Sequence, residues 1–271
     1  MKVNIVLRYL LLIAASVVFA FPLYWMITGS VKPMLSIWSM PPDWVPKTLQ
    51  WTHYEKLFEE LPTVRWIGNS VFSGLIAVAF ILLFCSMAGY AFAKKTFPGR
   101  DVLFFLIIAT MMMPHQVILV PLYILISDMN LLDTYAGLIL PAIGYPFGVF
   151  LIRQFIRYIP DELFQAAKVD GAKEIRIFVQ IVLPLIAPAL GALAIFSFLY
   201  VWNDYLWQLI VLQSEEMKTL PLGVSTLIRH ETSVNYGLAM AGGTVAAVPL
   251  ILFFLSFQRS FIRGITLGTD K

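Results

Sequence analysis

Few residues in this chain are equipped for chemistry. One carboxylate, Asp204, stands in an otherwise apolar stretch. Tyr200, Asn203, Asp204 and Trp207 fall at i, i+3, i+4 and i+7, which on an unbroken helix is one face. Such a face offers hydrogen-bond donors, acceptors and flat rings, a set that suits a sugar. The competing reading is a packed helix interface that ends in an outer aromatic belt. Other chemistries lack their residues. No G-x-x-x-x-G-K-[ST] run is present to cradle a nucleotide, and no G-x-S-x-G elbow appears. His53, His115 and His230 lie far apart and without metal-ligand spacing. His53 and His230 read as solvated loop residues, and His115, after Pro114, as a polar contact at a kink. The single cysteine, Cys85, allows neither an intrachain disulfide nor a thiolate cluster and reads as a small buried apolar residue. Met111, Met112 and Met113 read as flexible packing. No metal, no cofactor and no nucleic-acid partner are expected, and the chain itself is not an enzyme.

The elements that hold these residues belong in a lipid bilayer. Of the 271 residues 59% are hydrophobic and only 13% charged, against about 25% charged in a soluble domain; mean hydropathy is +0.81. Six apolar stretches reach the ~20 residues of a spanning helix: 9–28, 66–93, 102–127, 134–152, 177–203 and 238–258. Pro184 moves the membrane part of the fifth to about 185–212, with Asp204 inside it. Helices are required because lipid offers no partner for an open sheet edge, and no alternating barrel pattern is visible. The first stretch reads as a retained anchor, since it is longer than a signal-peptide core and no A-x-A site follows. The expected fold class is an all-α membrane protein of six transmembrane helices in a single domain, residues 1–271. With the N-terminus cytoplasmic, only Lys32, Lys47, Lys56, Arg65, Lys218 and Arg229 of the 19 Lys and Arg residues fall outside. That bias places both termini in the cytoplasm. Trp38, Trp44 and Trp51 in the long outer loop 29–65 suit the membrane interface. Ala239, Gly242, Gly243 and Ala246 permit close helix approach.

The one sizeable cytoplasmic feature is 153–184, RQFIRYIPDELFQAAKVDGAKEIRIFVQIVLP. Pro160 ends the fourth helix, and Asp161 and Glu162 suit the positive end of a new one. Phe164, Ala167, Gly171, Ile175 and Phe178 recur at three- or four-residue steps as an apolar stripe. Asp170-Gly171 marks a turn, with Asp170 able to cap the helix that follows. The pattern is a helix–turn–helix over about 160–184 with one apolar face. Periodicity alone leaves two occupants for that face, lipid headgroups or a groove on a cytoplasmic partner.

A resemblance separates them. Gln165-Ala166-Ala167, three residues, Gly171, nine residues, Ile181, one residue and Leu183-Pro184 resemble the EAA signature, E-A-A-x3-G-x9-I-x-L-P, of ABC importer permeases. Gln165 replaces the usual Glu and loses the charge an ion pair would need. Further similarity to the carbohydrate, maltose-type branch covers nearly the whole chain: Trp25 through Ser30 with Lys32, Asn69-Ser70, Tyr90 through Ala93 with Phe97 through Arg100, Pro121 through Tyr123, Trp202 through Tyr205, and Gln258-Arg259 with Gly264, Thr266 and Gly268. The resemblance implies a permease subunit of a sugar importer in the bacterial cytoplasmic membrane. It also implies a cytoplasmic ATPase dimer that binds the ATP, a second homologous permease and an extracytoplasmic sugar-binding protein. Gln165, Ala166, Ala167, Asp170, Gly171, Ile181, Leu183 and Pro184 would couple to the ATPase. Tyr200, Asn203, Asp204 and Trp207 would line the path. Alternatives that stay open are a permease for another solute such as glycerol phosphate, an ion-coupled carrier, and an integral membrane enzyme. The carrier would bury more ionisable groups than the single Asp204, and the enzyme would need a catalytic constellation.

Overall fold

In a computed structural model, the described residues are 2–227 and 235–266, with side chains described over 5–227 and 235–259. Arg229, His230 and Glu231 of the third expected outer loop, and Gly268 and Lys271 of the tail, lie outside the described residues. So do the side chains of Lys2, Arg263 and Thr266.

Every regular element among the described residues is helical. In chain order these are α1 (Lys2–Gly29), α2 (Met34–Ile37), α3 (Thr52–Glu55), α4 (Thr63–Lys94), α5 (Arg100–Thr110), α6 (His115–Asp128), α7 (Tyr135–Ile143) and α8 (Pro146–Arg157). Then come α9 (Asp161–Val169), α10 (Glu174–Ile177, widening over Phe178–Val182), α11 (Leu183–Leu185), α12 (Ala187–Trp202), α13 (Tyr205–Val211), α14 (Leu220–Leu227) and α15 (Tyr236–Thr266). Three stretches, in α1, α4 and α15, are long and apolar enough to cross a membrane unbroken, and up to 6 crossings result if each of three bent helix pairs is one span.

The bends are where the expected rods fail. α5 meets α6 at 101°, α7 meets α8 at 43°, and the helical run 174–185 meets α12 at 77°. Residues 102–127 are therefore not one helix. Pro114 lacks an N–H and holds the residue before it out of the helical region. Gly144 and Pro146 bracket the second bend, and Pro184 and Pro188 the third. The expected 185–212 span is broken again at Asn203 and Asp204, between α12 and α13.

The chain divides into two compact units, residues 1–68 with 218–249, and 69–217 with 250–271. In the first, α1 exposes every side chain from Ile5 to Tyr24, an all-round apolar surface suited to lipid. Trp66 is fully buried against Gly223, where an added Cβ would lie 2.3 Å from the indole. Gly242 and Gly243 make room for Val224 and Met26, so the small residues of α15 serve packing. Trp38, Trp44 and Trp51 are more than half exposed. His53 corrects its expectation: it is buried, 3.2 Å from the Lys32 carbonyl and against Gly237. Lys32 is buried with it. Its Nζ donates to the Asp43 carbonyl at 2.5 Å and lies 4.4 Å from the Trp25 ring centroid. Burial pushes the Lys32 pKa down, partly opposed by the charge of Asp43.

The second unit has its core on α4, α7, α8 and the run 174–202, around Ala77, Ile81, Ile152, Ile156, Ile177, Val182, Ile186 and Leu193. Two glycines set how closely α4 and α8 approach. A Cβ on Gly89 would lie 2.7 Å from Ile152, and one on Gly148 2.6 Å from the Cys85 sulfur. Cys85 is thus the small buried residue expected, filling the space Gly148 leaves. Tyr135 donates to Asn69 at 2.6 Å, and Asn69 donates to the Glu216 carbonyl at 2.8 Å. Asp133, at φ 57, accepts the N–H groups of Gln213 and Ser214 at 2.9 and 3.1 Å.

Candidate functional site

The helix breaks of the second unit gather polar and aromatic side chains. His115 opens α6 after the α5–α6 bend, and Tyr145 immediately precedes α8 at the α7–α8 bend. Tyr200 lies in the last turn of α12, and Asp204 in the break that follows. The Tyr145 and Tyr200 rings are 4.9 Å apart and tilted by 33°, and His115 meets Tyr200 edge-on at 6.4 Å. Asp204 stands beside His115 and Tyr200. All four side chains are half-buried. Together they present two phenols, an imidazole and a carboxylate. A sugar can stack on such rings and hydrogen-bond such groups.

The single face expected of Tyr200, Asn203, Asp204 and Trp207 does not exist, because the helix stops within it. Asp204 caps α13, its carboxylate accepting the Trp207 N–H at 3.4 Å. Short side chains such as Asn and Asp offer the backbone an alternative to helix continuation, and here they take it. Asn203 is exposed and returns its amide to the Leu199 carbonyl at 2.9 Å. Trp207 is buried, its ring N–H donating to the Gly137 carbonyl at 3.1 Å. Tyr200 and Asp204 therefore come together with His115 and Tyr145, whereas Asn203 and Trp207 turn elsewhere. Sequence reasoning missed Tyr145, although Gly144 and Pro146 on either side of it marked a break, and it read His115 only as a polar contact at a kink and not as part of the path.

The 160–184 segment is a helix, a turn and a second helix. Its inward side is tied to the end of α4. Phe164 and Phe178 pack on the Tyr90 ring with centroids 6.1 and 5.7 Å away. Lys94 donates to the Ile159 carbonyl and to Asp161, each at 2.6 Å. Lys95 pairs with Glu174, which also accepts the Tyr90 hydroxyl at 3.0 Å and stands 3.7 Å from Lys168. The Lys95 hydrogen bond holds the Glu174 pKa below the usual glutamate value, against a smaller opposing effect of burial. Burial pushes Lys95 down, but its bonds to Glu174 and Tyr90 outweigh that and leave it raised.

The apolar stripe divides differently from its expectation. Phe164, Ala167 and Phe178 face the core, with Ile181 and Leu183 packed beside them. Ile175 is 79% exposed, and Ile177 takes the inner place. The second helix starts at Glu174, which pairs with Lys95, and the next residue, Ile175, points outward. The outward side carries Leu163, Gln165, Ala166, Val169 at 87% exposure, and Ile175. Asp170 does not cap the following helix; it ends α9, and Lys173 precedes α10 without a side-chain cap. Gly171 turns the chain at φ +74 with no atom within 4 Å of a Cβ position. Asp170, Gly171 and Pro184 are exposed.

Comparison with known proteins is consistent along the chain. A family model described as binding-protein-dependent transport system inner membrane component matches residues 81–267. The chain is 39% identical over 254 residues to the arabinooligosaccharides transport system permease protein AraQ of Halalkalibacterium halodurans, covering 93% of this chain and 91% of that one. It is 35% identical over 268 residues to the lactose transport system permease protein LacG of Rhizobium radiobacter, covering 98% and 96%. Its fold matches a chain of a bacterial ABC transporter involved in the import of the acidic polysaccharide alginate, at TM-score 0.82, 21% identity and 96% and 97% coverage.

Proposed function

Because the chain belongs to the binding-protein-dependent transport system inner membrane component family, we propose that it is one permease subunit of an ATP-driven sugar importer in the bacterial cytoplasmic membrane. It acts as a single permease domain with both termini cytoplasmic. It forms the translocation path with a second homologous permease, receives sugar from an extracytoplasmic binding protein, and docks on a cytoplasmic ATPase dimer that binds the ATP. It catalyses no bond change itself.

The observation that carries this reading is the two-sidedness of 160–184. One side is tied to α4 through Lys94, Lys95, Tyr90 and Glu174, and the other holds Gln165, Ala166, Val169 and Ile175 open. A partner seated on the open side moves α4 through the tied side. Gln165, Ala166, Asp170 and Gly171 form the contact, while Ala167, Ile181 and Leu183 anchor it to the core and Pro184 begins the return to the membrane.

Tyr200 and Asp204, joined by Tyr145 and His115, line the path. Asn203 and Trp207 act around it, Trp207 by fixing α13 to α7. Lys and Arg do not occur in this cluster, which favours a neutral, hydroxyl-rich cargo over an anion such as glycerol phosphate. The sugar-transport names of the relatives point the same way.

The test is purification of the tagged chain from solubilised membranes, followed by reconstitution with whatever co-purifies. Recovery of an ATPase and a second permease, with sugar uptake that requires ATP, is the expected result. Recovery of the chain alone, with uptake driven by an ion gradient, would overturn it. Gly171→Asp in that system should leave basal ATP hydrolysis intact and abolish uptake; normal uptake would remove the coupling role.

A further inference from the structure

An apolar groove of about 660 Å³ runs along α4, α5 and α8, lined in part by Phe84, Ala88 and Phe92 of α4, Leu103 and Leu106 of α5 and Val149 of α8, and it shares Tyr145 with the candidate path cluster. On each helix the lining residues lead at helical spacing to a cation at the same end. Phe84, Ala88 and Phe92 lead to Lys95, whose N–H still bonds the Ala91 carbonyl at 3.1 Å. Leu103 follows Arg100 by three residues, and Val149 leads to Arg153 and Arg157. Arg153 stands beside this end of the groove: it donates to the carbonyl of the lining residue Phe92 at 3.3 Å, and its guanidinium lies 3.8 Å from the Phe104 ring centroid. Arg100 donates to the Lys95 carbonyl at 3.3 Å. Arg157 lies one turn beyond Arg153 on α8, and Arg100 and Arg157 line one polar cleft together with Lys94, Lys95 and Asp161.

Acids do not balance these charges. Asp101 meets Arg100 at 2.9 Å and Glu174 meets Lys95, which leaves Arg153 and Arg157 in excess. Arg157 is exposed, and no hydrogen bond or ion pair holds it among the described residues. The groove is thus apolar along its length and adjoins a mainly cationic cleft next to Arg153, the complement of an amphiphile with an anionic head.

We propose that this groove holds one anionic phospholipid, its phosphate between Arg100, Arg153 and Arg157 and an acyl chain along Phe84, Ala88 and Phe92. Basic side chains at the cytoplasmic edge of a membrane attract anionic headgroups, and here the apolar floor adds a fixed place for the tail. The proposal rests on the chain's being a membrane protein and is independent of what it transports.

The test is native mass spectrometry of the purified transporter complex, loaded with phosphatidylglycerol or with phosphatidylcholine of the same chains. Phosphatidylglycerol adducts on this subunit should persist where phosphatidylcholine adducts do not. Arg157→Gln removes a cation that holds no bond and should cut phosphatidylglycerol retention about fivefold. Ala88→Phe fills the groove from the apolar side and should reduce retention with every cation in place. The stability of each variant is checked by thermal melting of the complex. Equal retention of both lipids, displacement of phosphatidylglycerol by inorganic phosphate alone, or no lipid on this subunit in the assembled complex would each overturn the proposal. The last result would assign the groove to the second permease chain. None of these outcomes touches the transport assay, so the two readings fail separately.

Discussion

Gly171 shapes the turn of 160–184, and Glu174 ties the helix after it to Lys95 at the end of α4. At φ +74 with open space around its Cβ position, Gly171 is required by backbone conformation and not by crowding. Gly171→Ala should therefore cost about 1 kcal/mol, the left-handed penalty for an L residue, and Gly171→Asn less. Thermal melting of the complex checks both, and the ratio of uptake to ATP hydrolysis shows whether the turn's shape or its exposed surface matters more. Glu174 gives a pH prediction. Its folded pKa lies below the ordinary glutamate value because its charge is paired with Lys95. The pair's contribution is then complete above that ordinary value and disappears as pH falls through the lower folded one. Glu174→Gln should remove the acid-side loss of coupling, read as the uptake-to-hydrolysis ratio at falling pH, while lowering the ratio at neutral pH. The spacing of Gln165, Ala167, Gly171, Ile181 and Leu183 was legible in the sequence. Their sidedness was not, because a three- and four-residue step marks a face without saying whether the core or a partner covers it. Val169 and Ile175 were the outward pair, and only the ties from Lys94 and Lys95 decide that.

Helix breaks dominate at the scale of elements. The number of apolar stretches could be read from composition, but their continuity could not, since a bend at Pro114 or Pro146 leaves the residues around it as apolar as before. The signals were local: Pro114, Gly144 with Pro146, and Asn203 with Asp204. Each of these three breaks delivers a member of the His115, Tyr145, Tyr200 and Asp204 cluster, whereas the bend at Pro184 and Pro188 delivers none, so most of the punctuation that shortens the helices also builds the candidate path. Asp204 has two separable jobs. Asp204→Asn keeps a capping side chain for α13 and should leave the melting temperature nearly unchanged, whereas Asp204→Ala should lose about 1 kcal/mol. If the carboxylate also serves the cargo, uptake falls in both. Uptake that tracks stability alone would confine Asp204 to the cap. The approach of α4 to α8 is a second element-scale case. Gly148→Ala puts a Cβ 2.6 Å from the Cys85 sulfur and should cost about 1–3 kcal/mol by overpacking. Cys85→Ala in the same chain should recover part of that loss, a coupling measurable by melting the two single variants and the double.

For the whole molecule, composition already excluded a water-soluble fold, and the exposed apolar surface of α1 agrees with that exclusion. In the proposed arrangement a membrane surrounds such a helix but leaves the docking segment 160–184 outside it. Val169 and Ile175 stand 87% and 79% exposed on the segment proposed to receive the ATPase. Until a partner covers it, such a patch invites association or cleavage. Newly synthesised copies that outnumber their partner would carry a bare recognition mark for proteases. The steady amount of this subunit should then follow the scarcest member of the assembly and not its own rate of translation. Pulse-chase labelling with and without co-expression of the ATPase measures this: a half-life that lengthens on co-expression, and that lengthens in its absence when Val169 and Ile175 are made polar, would tie turnover to that face.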